Sequence, residues 1–253
     1  MWLTLSLIGN VLLLAILLNR RWRRYQKYGK WPITKAAPED IDPIFKPGPM
    51  GPSKETGIHF IGNYRVPGGI SDFETWVICN LAKKAGTVFE FGTCTGKTAW
   101  LLAANAPQAT ITTLTLHPED LSSYKAGHGD DAEAGREATE SSRFSTFYYQ
   151  GTDAEKRIIQ IFGDSKELDD QPLAQKFDLV FVDGSHTRSY VESDSKKALA
   201  MVKPGGLVLW HDYRGPRRDK DVFHILNCLA KQIALVHIEG TCLVAHRAPV
   251  AGT

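Results

Sequence analysis

The chain has 253 residues, 43% of them hydrophobic, enough for one large α/β domain with a buried core and short additions. Its net charge of +2 conceals an asymmetry, because residues 1–35 hold seven basic side chains and no acidic one, leaving 23 basic against 28 acidic in the remainder. That balance gives no reason to invoke a nucleic-acid partner, and four scattered cysteines without a C-x-x-C pair argue against a zinc site or a disulfide framework and for a reduced, cytosolic setting.

The first 18 residues, MWLTLSLIGNVLLLAILL, carry no charged side chain and run straight into NRRWRRYQKYGK. A helix of that length reaches roughly 27 Å, close to the hydrocarbon thickness of about 30 Å, so the sequence predicts a transmembrane helix over 1–19. A cleaved signal peptide fits less well, since no basic residue precedes the apolar run and no small-x-small site follows it. Arg20, Arg21, Arg23 and Arg24 lie on the C-terminal side, which keeps that end cytoplasmic. Residues 20–57 form a basic arm and a Pro/Gly-rich tether: seven of the thirteen prolines fall between Trp31 and Pro67. The folded domain is expected to span 58–253.

The stretch SDFETWVICNLAKKAG opens with a capping box, Ser71 with Glu74, and closes on Gly86 after two lysines, as a helix does. TVFEF is then a strand, and KTAWLLAANA a helix, so Glu90–Thr98 (EFGTCTGKT) forms a strand–loop–helix junction. Further strands follow at TITTLTL, RIIQIF, FDLVFVD and GLVLWHD. Nearly continuous apolar strands separated by helical lengths indicate a doubly wound, mostly parallel sheet covered on both faces. The ending IALVHI-EGT-CLVAHR leaves room only for an antiparallel hairpin, which brings the expected count to seven strands. Between the second and third strands, residues 117–156 are polar and highly charged; they predict a short helix and a mobile flap.

The loop after the first of these strands lies where a doubly wound sheet binds its ligand. It falls one residue short of the phosphate-binding G-x-x-x-x-G-K-[ST], and Phe91 stands where that motif has its first glycine. An NTPase is therefore the weaker reading, and Lys97 and Thr98 are simply the first turn of a helix. Glu90 would repel a triphosphate and suits a ligand bearing an ammonium group, such as S-adenosylmethionine (SAM).

EFGTCTG resembles the E-x-G-x-x-x-G motif of class I SAM-dependent methyltransferases, and FGDS, DLVFVDGSH and VKPGGLVLWHD follow in that family's order. The block from Asp178 to Tyr213 is similar to a small bacterial subgroup allied to metal-dependent sugar and catechol O-methyltransferases, and the resemblance extends over about residues 58–247. It implies that Glu90, Gly92, Thr93 and Gly96 line the methionine part of SAM, and that Asp164 and Ser165 face the adenine. It further implies that Asp183 is shared between SAM and a divalent metal such as Mg²⁺, that Asp212 and His211 complete the metal side, and that His186 is the catalytic base. Thr115 stands where the family usually has an acidic residue gripping the ribose hydroxyls; Glu119 or Asp120 could compensate. Asp194 is expected to be a solvated or structural carboxylate. The expectation is a SAM-dependent, metal-assisted O-methyltransferase with a small-molecule or membrane-associated acceptor. It would be a single-pass protein of the bacterial inner membrane, its catalytic domain in the cytoplasm, with an integral membrane complex as a further partner. The alternative is an inactive methyltransferase-like scaffold in such a complex.

Overall fold

The computed structural model describes residues 9–11, 13–22 and 31–250. The chain divides into two compact units, Met1–Pro32 and Ile33–Thr253. In the first, residues 9–11 and 13–22 are helical and exposed. Among the described residues no helix is long and apolar enough to cross a membrane; the expected span over 1–19 runs through 1–8 and 12, which lie outside them.

The second unit is built from β1 (Thr34–Ala36), α1 (Asp72–Ala82), β2 (Thr87–Phe91), α2 (Lys97–Asn105), β3 (Thr110–Thr115), α3 (Ala132–Ser141), β4 (Ile158–Phe162), β5 (Phe177–Val182), α4 (Arg188–Met201), β6 (Val202–Trp210), α5 (Lys220–Leu229), β7 (Val236–Ile238) and β8 (Val244–Arg247). Its sheet has the order β1-β7-β8-β6-β5-β2-β3-β4. β8 alone among these strands runs against its neighbours, pairing antiparallel with β6 and β7. This is the expected doubly wound sheet with its terminal hairpin, but with eight strands rather than seven. The additional strand is β1, which pairs in parallel with β7 through Thr34↔Val236, Lys35↔His237 and Ala36↔Ile238. Three residues without apolar alternation carry no strand signal, and Pro32 just before them is tolerated because an edge strand needs hydrogen bonds on one side only.

Side-chain alternation sends Val88, Leu179, Phe181, Leu207 and Leu209 to one face of the sheet, where Val77, Ile78, Leu102 and Ala103 of α1 and α2 cover them. Phe89, Phe91, Val180, Val182, Val208 and Trp210 pack on the other face beneath Val191, Ala198, Met201, Val222 and Leu226 of α4 and α5. Burial on both faces explains why these strands are apolar almost without interruption. The expected domain start near Ile58 falls inside the compact unit, because the Pro-rich stretch packs against it. Ile33 and Phe45 are 2% and 4% exposed, Phe45 meets the Trp76 ring at 5.0 Å, and the Thr56 carbonyl accepts from Trp76 Nε1 and Asn80 Nδ2.

Strand order reverses at β2, which lies between β3 on one side and β5 on the other. The carboxyl ends of β2, β3, β5 and β6 therefore surround one crevice, the place where such sheets hold ligands.

Candidate active site

The turn out of β2 depends on two glycines. Gly92 has φ 95°, and a Cβ there would lie 2.1 Å from the Asp183 carbonyl oxygen, so the β2 and β5 ends meet only because the side chain is absent. Gly96, with φ 73°, starts α2, and a Cβ there would press on Phe147 at 2.9 Å. The loop between them forms one wall of a cavity of about 480 Å³, the range of nucleoside-sized ligands. Lys97 is no phosphate ligand: its ammonium donates to the Gly62 carbonyl at 3.0 Å and to Asn63 Oδ1 at 3.2 Å, which ties the segment before α1 to the start of α2.

Of the residues expected on the cofactor, Gly92, Thr93, Thr115, Ser165 and Asp183 line the cavity, as do His186, His211 and Asp212. Glu90, Gly96 and Asp164 are not part of its wall. Glu90 is 1% exposed and lies behind the loop, where Oε2 accepts from Thr113 Oγ1 at 2.6 Å; burial, with the nearby Asp183 charge, pushes its carboxyl up to about 8. It is therefore a buried brace for the loop, in a network that continues through Thr93 and Gln160. Asp164 is 5% exposed and already engaged, accepting from Tyr190 Oη at 3.0 Å and from the Lys166 amide at 2.9 Å. Asp194 is not solvated: it is 1% exposed, its Oδ1 has no hydrogen-bond partner, and burial raises its carboxyl to about 7. A carboxylate in the second turn of α4 gave the sequence no sign of facing the cavity.

Beside the loop, the ends of β5 and β6 deliver a compact acid–histidine cluster to the same cavity. His186 Nε2 lies 2.6 Å from Asp212 Oδ2. His211 Nδ1 faces Asp183 Oδ1 at 3.0 Å and Asp212 Oδ1 at 3.2 Å, and its Nε2 faces Glu74 Oε2 at 3.5 Å. Arg214 bridges Asp212 at 3.0 Å and Asp219 at 2.6 Å. Burial alone would strip the proton from His211, but the surrounding carboxylates outweigh it and hold its pKa well above the ordinary value. The same contest raises His186, with Asp212 as the main opposing partner. Burial pushes Asp212 up, yet its two histidine partners keep it well below the usual carboxylate range; Asp183, buried with less compensation, is raised. Asp212 takes φ 62°, a left-handed conformation that costs a non-glycine residue about 1–3 kcal/mol.

Glu74 is tied into three elements. Its Oε2 accepts from the Ser71 amide at 2.9 Å, completing the capping box of α1; its Oε1 accepts from the Cys242 amide at 2.6 Å in the β7–β8 connection; and it meets His211.

Asp183, His186 and Asp212 each offer a ligand atom, all within 4.8 Å of one another. Two carboxylates that converge in this way fit a hard divalent cation, with water filling the remaining positions. The resemblance had placed His211 in that set; it groups instead with Glu74 and Cys242, and both of its ring nitrogens face carboxylates, as do those of His186, whose Nδ1 lies 3.7 Å from Asp219 Oδ1. The proposed compensators for Thr115 are displaced as well. Neither Glu119 nor Asp120 lines the cavity, whereas Glu137, Glu140 and Ser142, from α3 and its end, do.

Comparison with known proteins bears on the fold. Residues 89–213 match the sequence model of a family described as a methyltransferase domain. Among solved structures, the SAH-bound methyltransferase PaMTH1 of Podospora anserina is similar over 76% of this chain and 89% of its own, at 18% identity and a TM-score of 0.51. The O-methyltransferase TomG of Streptomyces achromogenes, involved in tomaymycin synthesis and solved with SAM, is similar over 71% and 82%, at 17% identity and a TM-score of 0.47. No curated protein matches the chain in sequence. The fold is thus the Rossmann-like methyltransferase fold, here with an eight-stranded sheet.

Proposed function

We propose that this chain is a SAM-dependent O-methyltransferase acting on a hydroxyl of a small-molecule or membrane-associated acceptor. The observation that carries the reading is a single cavity lined both by the Gly92–Thr95 loop and, beside it, by the Asp183–His186–Asp212 cluster. The loop takes the methionine portion of SAM, where the free N–H groups of α2 favour its carboxylate. The acceptor hydroxyl then faces the cluster. In the reaction the acceptor oxygen forms a bond to the methyl carbon, the sulfonium–methyl bond breaks, and the neutral thioether SAH leaves. His186 takes the hydroxyl proton, its ring oriented by Asp212 at 2.6 Å. His211 acts on this step indirectly by holding Asp183 and Asp212 in place. Asp183 and Asp212 are the residues that would hold Mg²⁺, which, when bound, lowers the pKa of a coordinated hydroxyl.

The apolar segment 1–18 and the arginines behind it support a single-pass anchor in the inner membrane, with the catalytic unit cytoplasmic and an integral membrane complex within reach as partner.

Calorimetric titration of the full chain with SAM and with SAH, with and without Mg²⁺, tests the catalytic reading. Low-micromolar binding of both is expected, with Asp183→Ala and His186→Ala abolishing turnover while leaving the fold intact. Absence of binding at millimolar ligand would refute it and leave a methyltransferase-like scaffold of a membrane assembly as the better account.

A further inference from the structure

The cavity has one wall that a strand-end reading of the site does not supply. α3, inserted between β3 and β4, turns Ala134, Glu137, Ala138 and Ser141 toward it, the spacing of a single helix face. Three of these side chains are small and leave space for a ligand. Two carboxylates of α3 line the cavity, Glu137 and Glu140; Glu137 shares the face of Ala134, Ala138 and Ser141 while Glu140 lies at its edge, and the Glu137 carboxylate has no hydrogen-bond or ion-pair partner among the described residues. Next to the end of α3 stands Thr115, at the strand end where a carboxylate would receive both hydroxyls of a ribose. Its Oγ1 donates to Ser142 Oγ at 3.2 Å, and Ser142 Oγ donates on to the Ala138 carbonyl at 2.9 Å. This hydroxyl chain ends in the α3 backbone and provides no bidentate acceptor for a vicinal diol.

α3 is held firmly enough to position a ligand contact. Asp131 caps its start through the Glu133 and Ala134 amides and pairs with Lys220 at 3.3 Å. Asp130 accepts from the Ser189 amide at 2.8 Å and from its hydroxyl at 2.5 Å. Just upstream, Tyr124 stacks on Tyr190 at 4.6 Å and reaches Ser185 and Thr187, both beside the catalytic cluster.

We infer that Glu137, carried by the inserted helix rather than by a strand end, is the carboxylate that receives the ribose hydroxyls of the bound cofactor. The inference rests on the SAM reading above. Two acceptor oxygens on one side chain match a vicinal diol, and charge-assisted hydrogen bonds of this kind are among the stronger ones available to a ligand. The cofactor site is then closed by a segment outside the sheet, so the insertion between β3 and β4 governs cofactor affinity.

The test is calorimetry on the full chain with two ligands, SAH and its 2′,3′-dideoxy counterpart, for wild type, Glu137→Gln and Glu140→Gln. Glu137 is exposed, so the substitution leaves the fold intact, and matched melting curves check this. Wild type is expected to bind the dideoxy ligand about 10–100-fold more weakly than SAH. Glu137→Gln should lose a similar factor for SAH and nothing for the dideoxy ligand, while Glu140→Gln behaves as wild type. Equal weakening of both ligands by Glu137→Gln, no weakening at all, or a loss confined to Glu140→Gln overturns the assignment to Glu137. Failure of wild type to bind either ligand removes the SAM reading itself and the inference with it, a result distinct from any in which wild type binds SAH.

Discussion

Asp178 shows how a single carboxylate joins the two halves of the sheet. Its Oδ2 accepts from the Gly86 and Thr87 amides, both at 2.9 Å, and its Oδ1 accepts from Lys203 at 2.7 Å. Partial burial opposes ionisation, but these donors outweigh it and the carboxyl titrates below its ordinary value. A carboxylate with a lowered folded-state pKa contributes stability that is fully present above the unfolded value of about 3.9 and is lost as the pH falls through the folded one. Asp178→Asn should therefore lower the denaturation midpoint at neutral pH and flatten its fall below about pH 4. Urea titrations of both proteins between pH 2 and 6 measure this, and parallel curves over that range would rule it out.

At the level of elements, most of the sheet was legible because strands buried on both faces leave long apolar runs, and α1 because its capping box is written in Ser71 and Glu74. β1 was not, since a three-residue edge strand draws its stability from tertiary burial rather than from its own pattern. Its anchor is Ile33, 2% exposed and packed in the cluster of Tyr213, Leu235 and Val244. Ile33→Ala should cost about 2–5 kcal/mol of unfolding free energy. A loss under 1 kcal/mol in chemical denaturation would mean that β1 is held only loosely. The acid–histidine cluster was half legible. DGSH and HD mark the ends of β5 and β6, so the sequence located Asp183, His186, His211 and Asp212, but it could not say which way each ring turns. It also could not relate Glu74 or Arg214 to them, because those contacts join residues distant in the chain. Asp164 and Glu90 lie off the cavity wall for a related reason: a motif gives position along a strand end, and neighbours such as Tyr190 and Thr113 decide which way the side chain is engaged.

On the scale of the whole molecule, the compact unit from Ile33 onward holds every part of the proposed site, and residues 1–32 form a separate unit. The proposed anchor thus adds location rather than chemistry. Full-length protein expressed in bacteria should stay in the membrane pellet after alkaline carbonate washing, and a chain lacking residues 1–19 should leave it. Release of both into the supernatant would argue against a span. Glu74 adds a consequence of its own. One carboxylate starts a helix, clasps a hairpin and steadies His211. A mutational survey scored by cellular abundance would file it as a folding residue, and one scored by turnover as an active-site residue. Selection on either trait constrains the other at this position, so drift toward a new acceptor has more freedom in α3 than in the frame around Glu74.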